Sequence, residues 1–329
     1  MIEMKGDFNS GSISNIGGGG LFAPIHSYLA ESTGPVYIIV PFISNHTIER
    51  LLNFDTDKKV SIVTSWRSDY LRTGVSSLDL YPLCKRKGWT LYVNSRIHCK
   101  VYSDSFNSCI ITSANCTDRA LSAEECNIEC CTMVKKLTVG NRFELNKIIS
   151  ESILIDDCVY EQYLRWFDTI NQDGFNDVTD PQFEDLTPYY SFQLPACKTP
   201  SVLWEYIQNP DNYDDYVEYI EHDLAIYSSN PFLFNSQDDF LNNLRQNFIN
   251  HPFIKKIDEL ITTYGVRFGE FKAFIHQNCS DVPLPYRSEI TVLVQNLYNW
   301  FIELFPDTYY WDIPGTHSQV MYRRDRSVI

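Results

Sequence analysis

The sequence predicts an α/β domain, a mixed sheet flanked by helices, followed by a mostly helical domain that ends in a β-hairpin. Three observations carry this. Short apolar runs alternate with helical segments as far as residue 140, the apolar period then becomes helical, and 309–324 reads as two strands around Pro314 and Gly315. The expected division is a flexible N-terminus at 1–19, an α/β domain at 20–155 and an acidic, mostly helical domain at 156–329.

Each element has its own warrant. The glycines at 17–20 precede no Lys-Ser/Thr pair and follow no strand, so they read as a hinge, not a phosphate loop. The apolar runs 36–43 and 60–65 are strands, separated by a short helix at 46–53. A helix at 78–87 leads to an extended 89–93. Strands at 97–102 and 109–113 are joined by the polar turn 103–107, and 127–134 is the next strand.

After Gly140 the spacing of Leu145, Ile148, Ile149 and Ile153, and of Val159, Tyr163, Phe167 and Ile170, is helical. The Asp-, Pro-, Asn- and Tyr-rich 171–215 reads as a long irregular connection. Ile290, Val294, Leu297, Phe301 and Leu304 form a helical apolar stripe suited to a core. In the C-terminal hairpin, His317, Arg323 and Arg324 interleave with aromatic residues. They are candidate nucleic-acid contacts in a helix-then-hairpin layout; the alternative is a packing hairpin that closes the helical domain.

Composition limits the function classes. The chain of 329 residues has the apolar fraction of a globular protein, and no run of 18 apolar residues that would span a membrane. The start lacks a charged and then apolar leader, so a cytoplasmic location is expected. The ten cysteines form no CxxC pair and are expected to be reduced, mostly buried thiols, with no metal and no cofactor. The net charge of −15 argues against a general nucleic-acid coat. It is unevenly spread: 58–100 carries nine Lys/Arg against Asp69 and Asp79, a net +7, whereas 151–240 is at −17. The basic stretch, with Arg67 and Arg96, would steer an anionic substrate towards His98, while the acidic stretch suits protein partners.

The chemistry is concentrated in three short segments. His98 and Lys100, Ser113 and Asn115, and Asn127 and Glu129 each set two polar residues two positions apart, within sequence that reads as strand. Strand alternation sends such pairs to one face. That face would gather an imidazole, an ammonium, a hydroxyl, amides and a carboxylate, a set suited to a phosphodiester without a metal. Lys100, Ser113 and Asn115 supply positive charge and donors for the charge that develops on phosphorus-bound oxygens. An unprotonated imidazole is a competent nucleophile near neutral pH, so His98 would attack phosphorus. Glu129 would accept from the second ring nitrogen of His98, and Arg67, Arg96 and Asn127 are candidate phosphate or substrate ligands.

These residues resemble the HxK…SxN signature of the phospholipase D superfamily, with Asn127-Ile128-Glu129 at the place of its N-x-E. Thr64, Ser65, Trp66 and Arg67, and the stretch 74–78, are similar to the lead-in of the nuclease-type members; the resemblance covers roughly 20–155. The family's Asp five residues after the Lys is here Ser105, with Asp104 one place early, and its Gly before the Ser is Thr112. The resemblance implies a phospholipase D-like mixed sheet and a metal-independent phosphodiesterase, foremost a nuclease working through phosphohistidine. Members use two such motifs per site. This chain has one motif and no internal repeat, so a homodimer sharing the site is implied, with one His98 as nucleophile and the other as general acid. The single-motif, helix-appended layout is similar to phospholipase D-like proteins of restriction and phage-defence systems, with DNA placed ahead of RNA as substrate. The alternatives are a dimeric binding subunit with little or no turnover, and a lipid phosphodiesterase.

Overall fold

The computed structural model describes residues 15–18, 20–54, 58–121, 127–172, 189–213, 216–228, 230–281, 285–314 and 318–324. The chain divides into two compact units, Met1–Phe183 and Glu184–Ile329. Among the described residues no helix is long and apolar enough to cross a membrane.

The first unit is built on an eight-stranded mixed sheet. Its strands are β1 (Asn15–Gly18), β2 (Val36–Ile39), β3 (Val60–Thr64), β4 (Thr90–Val93), β5 (Val101–Asp104), β6 (Ser108–Thr112), β7 (Ile128–Val134) and β8 (Ile153–Leu154), in the order β1-β7-β6-β5-β2-β3-β4-β8. β2, β3 and β4 run parallel, while β5, β6 and β7 form an antiparallel meander joined to β2. Successive residues of a strand face opposite sides. Ile38, Ile62 and Tyr102 therefore enter one apolar core, and Ile39, Val63 and Val101 the other. The first core takes residues from α1 (Phe22–Glu31), α2 (Asn45–Leu51), α3 (Ser68–Arg72), α4 (Leu80–Lys87) and α5 (Asp118–Leu121); the second takes Leu145 from α6 (Val139–Ser150). Helices thus cover both faces, as a sheet with apolar residues on both sides requires.

Three expectations need correction. Asn15–Gly18 is a strand, not part of a flexible hinge: it pairs antiparallel with β7, setting Gly17 opposite Glu129. β7 would otherwise leave a row of unpaired backbone groups at the sheet edge. The helix α7 (Asp157–Gln172) belongs to the first unit, where Val159 and Tyr163 join the first core and Tyr163 meets the Trp66 ring edge-on at 5.0 Å. The stretch 171–215 is not wholly irregular, since Ser201–Gln208 is a helix (α8) with Leu203 and Tyr206 fully buried.

The second unit continues with α9 (Val217–Tyr227), α10 (Gln237–Asn250), α11 (Pro252–Asp258), α12 (Phe268–Asn278) and α13 (Arg287–Leu304). Its core is aromatic, with Phe248 packed on Trp300, Phe301 and Tyr227 at 5.2–5.4 Å between ring centres. β10 (Tyr309–Asp312) and β11 (Val320–Arg323) form the expected hairpin, completed by β9 (Val266–Arg267). The buried carboxylate of Asp223 accepts from the backbone N–H groups of Ala196 and Cys197 and from the His222 ring. Asn296 and Trp300 donate to the carbonyls of Pro195, Ala196 and Cys197, so helices α9 and α13 clamp one extended segment through saturated polar contacts.

Candidate active site

The three polar segments meet at one end of the first unit's sheet, at the ends of strands and not within them. His98 and Lys100 precede β5, Ser113 and Asn115 follow β6, and Asn127 precedes β7, where Glu129 is the second residue. The ladder stops one residue beyond the β5–β6 pairs, where the Thr112 N–H donates to the Lys100 carbonyl, and Ser113 N–H donates across to Cys130. Lacking a strand partner, 97–100 adopts irregular backbone, so His98 is exposed while Lys100 is buried. The same end carries the carboxyl termini of the parallel β2 and β3, the usual location of ligand sites in open α/β sheets.

The side chains at this end are interlocked. Lys100 Nζ donates to the His98 carbonyl at 2.9 Å, which braces the loop bearing the imidazole. Burial pulls the Lys100 ammonium below the usual lysine range, and the charges of Cys99 and Glu129 oppose that shift. The Glu129 carboxylate accepts from Ser113 Oγ and from Asn127 Nδ2 at 3.2 Å, and Ser113 Oγ in turn accepts from the Cys130 N–H at 3.0 Å. The expected Glu129–His98 hydrogen bond is therefore absent: Glu129 organises the Ser113 segment, and Asn127 serves as its support. Among the described residues the His98 ring makes no hydrogen bond. Thr112, where the resembled family has Gly, earns its place by bracing the turn, donating to the Cys130 carbonyl at 2.8 Å and accepting from the Ala114 N–H at 3.0 Å. Asp104 accepts from Ser32 at 2.5 Å and from Ser105 at 3.1 Å, so it fastens the β5–β6 turn to the end of α1.

Much of the basic stretch is consumed locally. Lys58 donates to the carbonyls of Leu29, Ala30 and Ser32 at the end of α1. Lys85 pairs with Asp157, Lys87 with Glu49, and Arg96 with Glu151. Arg67 pairs with Asp69 at 3.0 Å and lies over the Tyr70 ring. Arg96, like Arg67, therefore has a carboxylate partner at an exposed position. Arg323 is tied to Asp258 at 2.6 Å and to the Ile261 carbonyl, and Arg324 covers the Tyr310 ring. These contacts fit the packing-hairpin alternative; His317 lies outside the described residues.

The thiols of Cys84, Cys109 and Cys116 are buried, as expected of most of the cysteines, and pushed up to about 12 by desolvation, whereas Cys130 is exposed. Among the described residues no group of three or more His, Cys, Asp or Glu is placed to hold a metal ion. Sequence reasoning missed the buried amide oxygen of Asn115, which among the described residues has no hydrogen-bond partner; nor does that of Asn45, a residue the motif spacing does not reach.

No family model matches the sequence, and no curated protein matches it. Among solved structures it is similar to the phospholipase D family member Nuc from Salmonella typhimurium (15% identity, 48% of this chain and 90% of that one, TM-score 0.28). It is also similar to NucT from Helicobacter pylori (13%, 46% and 87%, TM-score 0.28) and to phosphatidylserine synthase from Haemophilus influenzae (14%, 45% and 42%, TM-score 0.28).

Proposed function

We propose that the first unit is a metal-independent phosphodiesterase, acting on nucleic acid through a covalent intermediate on His98. The observation that carries this is the meeting of an exposed imidazole, a buried ammonium and the Ser113–Glu129–Asn127 network at one sheet end. In the first step a ring nitrogen of His98 bonds to phosphorus and the bond to the leaving oxygen breaks. That oxygen takes a proton from the imidazolium of His98 in a second copy of the chain, the homodimer being part of the proposal. Water then attacks phosphorus, returns its proton to that second imidazole, and the P–N bond breaks. Lys100 and Asn115 stabilise the charge on the non-bridging oxygens in both steps, and Ser113 is positioned there by Glu129. DNA is placed ahead of RNA, and a cytoplasmic role in antiviral defence is the context the sequence resemblance supports.

A second reading has one observation in its favour. Glu129 is engaged by Ser113 and Asn127 and not by His98, as in a binding subunit that keeps the fold without turnover. Purified wild type and His98→Ala, challenged in excess EDTA with DNA, RNA and phosphatidylcholine, separate the readings. Nucleic-acid cleavage by wild type alone is expected. Binding without cleavage by either protein supports the second reading, and turnover of lipid alone rejects both.

A further inference from the structure

Beside Asn115 the first unit has an open cavity of about 500 Å³, within the usual range of about 300–1,000 Å³ for small-molecule sites. Its walls come from two segments far apart in sequence, the stretch after β2 (Phe42, Ser44 and Asn45, the first residue of α2) and the loop before α4 (Val75, Ser77), with Asn115 at one side. Backbone pairing fixes this arrangement. The Ser44 N–H donates to the Cys116 carbonyl at 2.9 Å and the Cys116 N–H to the Phe42 carbonyl at 3.1 Å, which couples the cavity wall to the Ser113–Asn115 segment. The second loop turns at Gly74, whose φ of 71° lies in the left-handed region, and is anchored where Ser76 Oγ donates to the Ser65 carbonyl at 2.8 Å. Phe42 is held edge-on by Tyr70 at 4.7 Å.

The lining says what would fit. Among the described residues no charged side chain lines the cavity, which disfavours a second phosphate. An aromatic ring and a valine stand beside hydroxyls and amides, a combination suited to a neutral, planar group with a polar edge. The side chains of Asn45 and Asn115 bring amides to this lining, and among the described residues their oxygens accept no hydrogen bond, which leaves both amides without a fixed partner inside the chain. Asn115 belongs both to this lining and to the proposed phosphate donors.

We propose that the cavity receives one unpaired nucleobase flanking the scissile phosphate, so that the chain engages single-stranded or locally opened nucleic acid and not intact duplex. A base inside a duplex cannot enter a cavity without leaving its stack. The proposal rests on the phosphodiesterase reading for its substrate class, and its test separates the two.

His98→Ala protein is titrated by fluorescence anisotropy with a labelled 12-nucleotide single strand, the same strand as a duplex, and a fully abasic strand with the same number of phosphates. The single strand is expected to bind at least about tenfold more tightly than either of the others. Ser77→Trp, which fills the cavity from an exposed position, and Asn45→Ala are each expected to erase that margin in the same background, with circular dichroism confirming the fold. Equal binding of intact and abasic strands, a duplex bound as well as the single strand, or a margin that survives both substitutions would overturn the cavity proposal. In parallel, wild type is assayed on bis(4-nitrophenyl) phosphate, which has no base. Failure to cleave it and every oligonucleotide removes the phosphodiesterase reading, while the binding measurements still decide the cavity.

Discussion

The two units differ in where their buried polar groups go unpaired. In the second, Asp223 collects two backbone N–H groups and an imidazole, Glu221 accepts from Tyr206 at 2.5 Å, and Asn296 and Trp300 close the carbonyls of 195–197. In the first, among the described residues, Asn45, Thr47, Ser65, Trp66, Ser68, Tyr102 and Asn115 bury polar atoms with no hydrogen-bond partner, and all but Tyr102, which is in β5, lie in the segments that follow β2, β3 and β6. Leaving such atoms unpaired costs about 1–3 kcal/mol each. Saturated polarity fastens the second unit together, whereas the unsatisfied polarity of the first clusters where the proposed chemistry occurs. The contrast has exceptions in the second unit: Ser228 Oγ and His251 Nδ1 are also buried without partners.

Substitutions in the two units should therefore be read by different instruments. The largest effect is expected at His98: alanine lowers phosphodiester cleavage by at least about 10³-fold while leaving thermal melting in place. Lys100→Ala and Asn115→Ala should each cost about 10²–10³-fold in kcat, measured on the same substrate. Because burial pulls the Lys100 ammonium down, the alkaline limb of the activity profile should lie below the reference lysine value of about 10.4. Lys100→Arg should move that limb upward.

In the second unit the readout is stability. Asp223→Ala leaves two backbone N–H groups without an acceptor and should cost about 3 kcal/mol in denaturant unfolding, with cleavage below the transition unchanged. His251 gives a pH signature. Burial lowers its pKa to about 4, so the unfolded chain takes up the proton first as pH falls. The stability this buried neutral imidazole carries is present above about pH 6.5 and is lost between about 6.5 and 4, by at most about 3 kcal/mol. His251→Asn should flatten that window. The smallest effect is expected at Arg96, whose exposed pair with Glu151 should be worth less than about 0.5 kcal/mol, with cleavage altered by less than about twofold on Arg96→Ala.

The sequence makes the site residues legible but not their backbone. Lys100, Ser113 and Glu129 come together because β5, β6 and β7 are neighbours, as sequential strands usually are, although only the β5–β6 connection is a short turn. Alternation cannot say where a ladder stops, so 97–100 reads as strand although its apolar pattern outruns the pairing. β1 is hidden because glycines carry no strand signal of their own; the exposed edge of β7 creates it. Helical spacing likewise identifies α7 without saying what it packs against, and the α7–Trp66 contact is decided by the tertiary fold. The cavity is invisible for the same reason, since 42–45 is placed by hydrogen bonds to Cys116 and 74–77 by one to Ser65, both distant in sequence.

The central claim is that His98 carries the phosphoryl group, and a single-turnover experiment tests it directly. Wild-type chain in excess EDTA is mixed with an end-labelled oligonucleotide, quenched in alkali and digested, and the peptides are examined by mass spectrometry. A base-stable, acid-labile nucleotidyl adduct on His98, absent from His98→Ala, is the predicted result. Cleavage by wild type with no adduct on His98, or cleavage that persists in His98→Ala, would contradict the account.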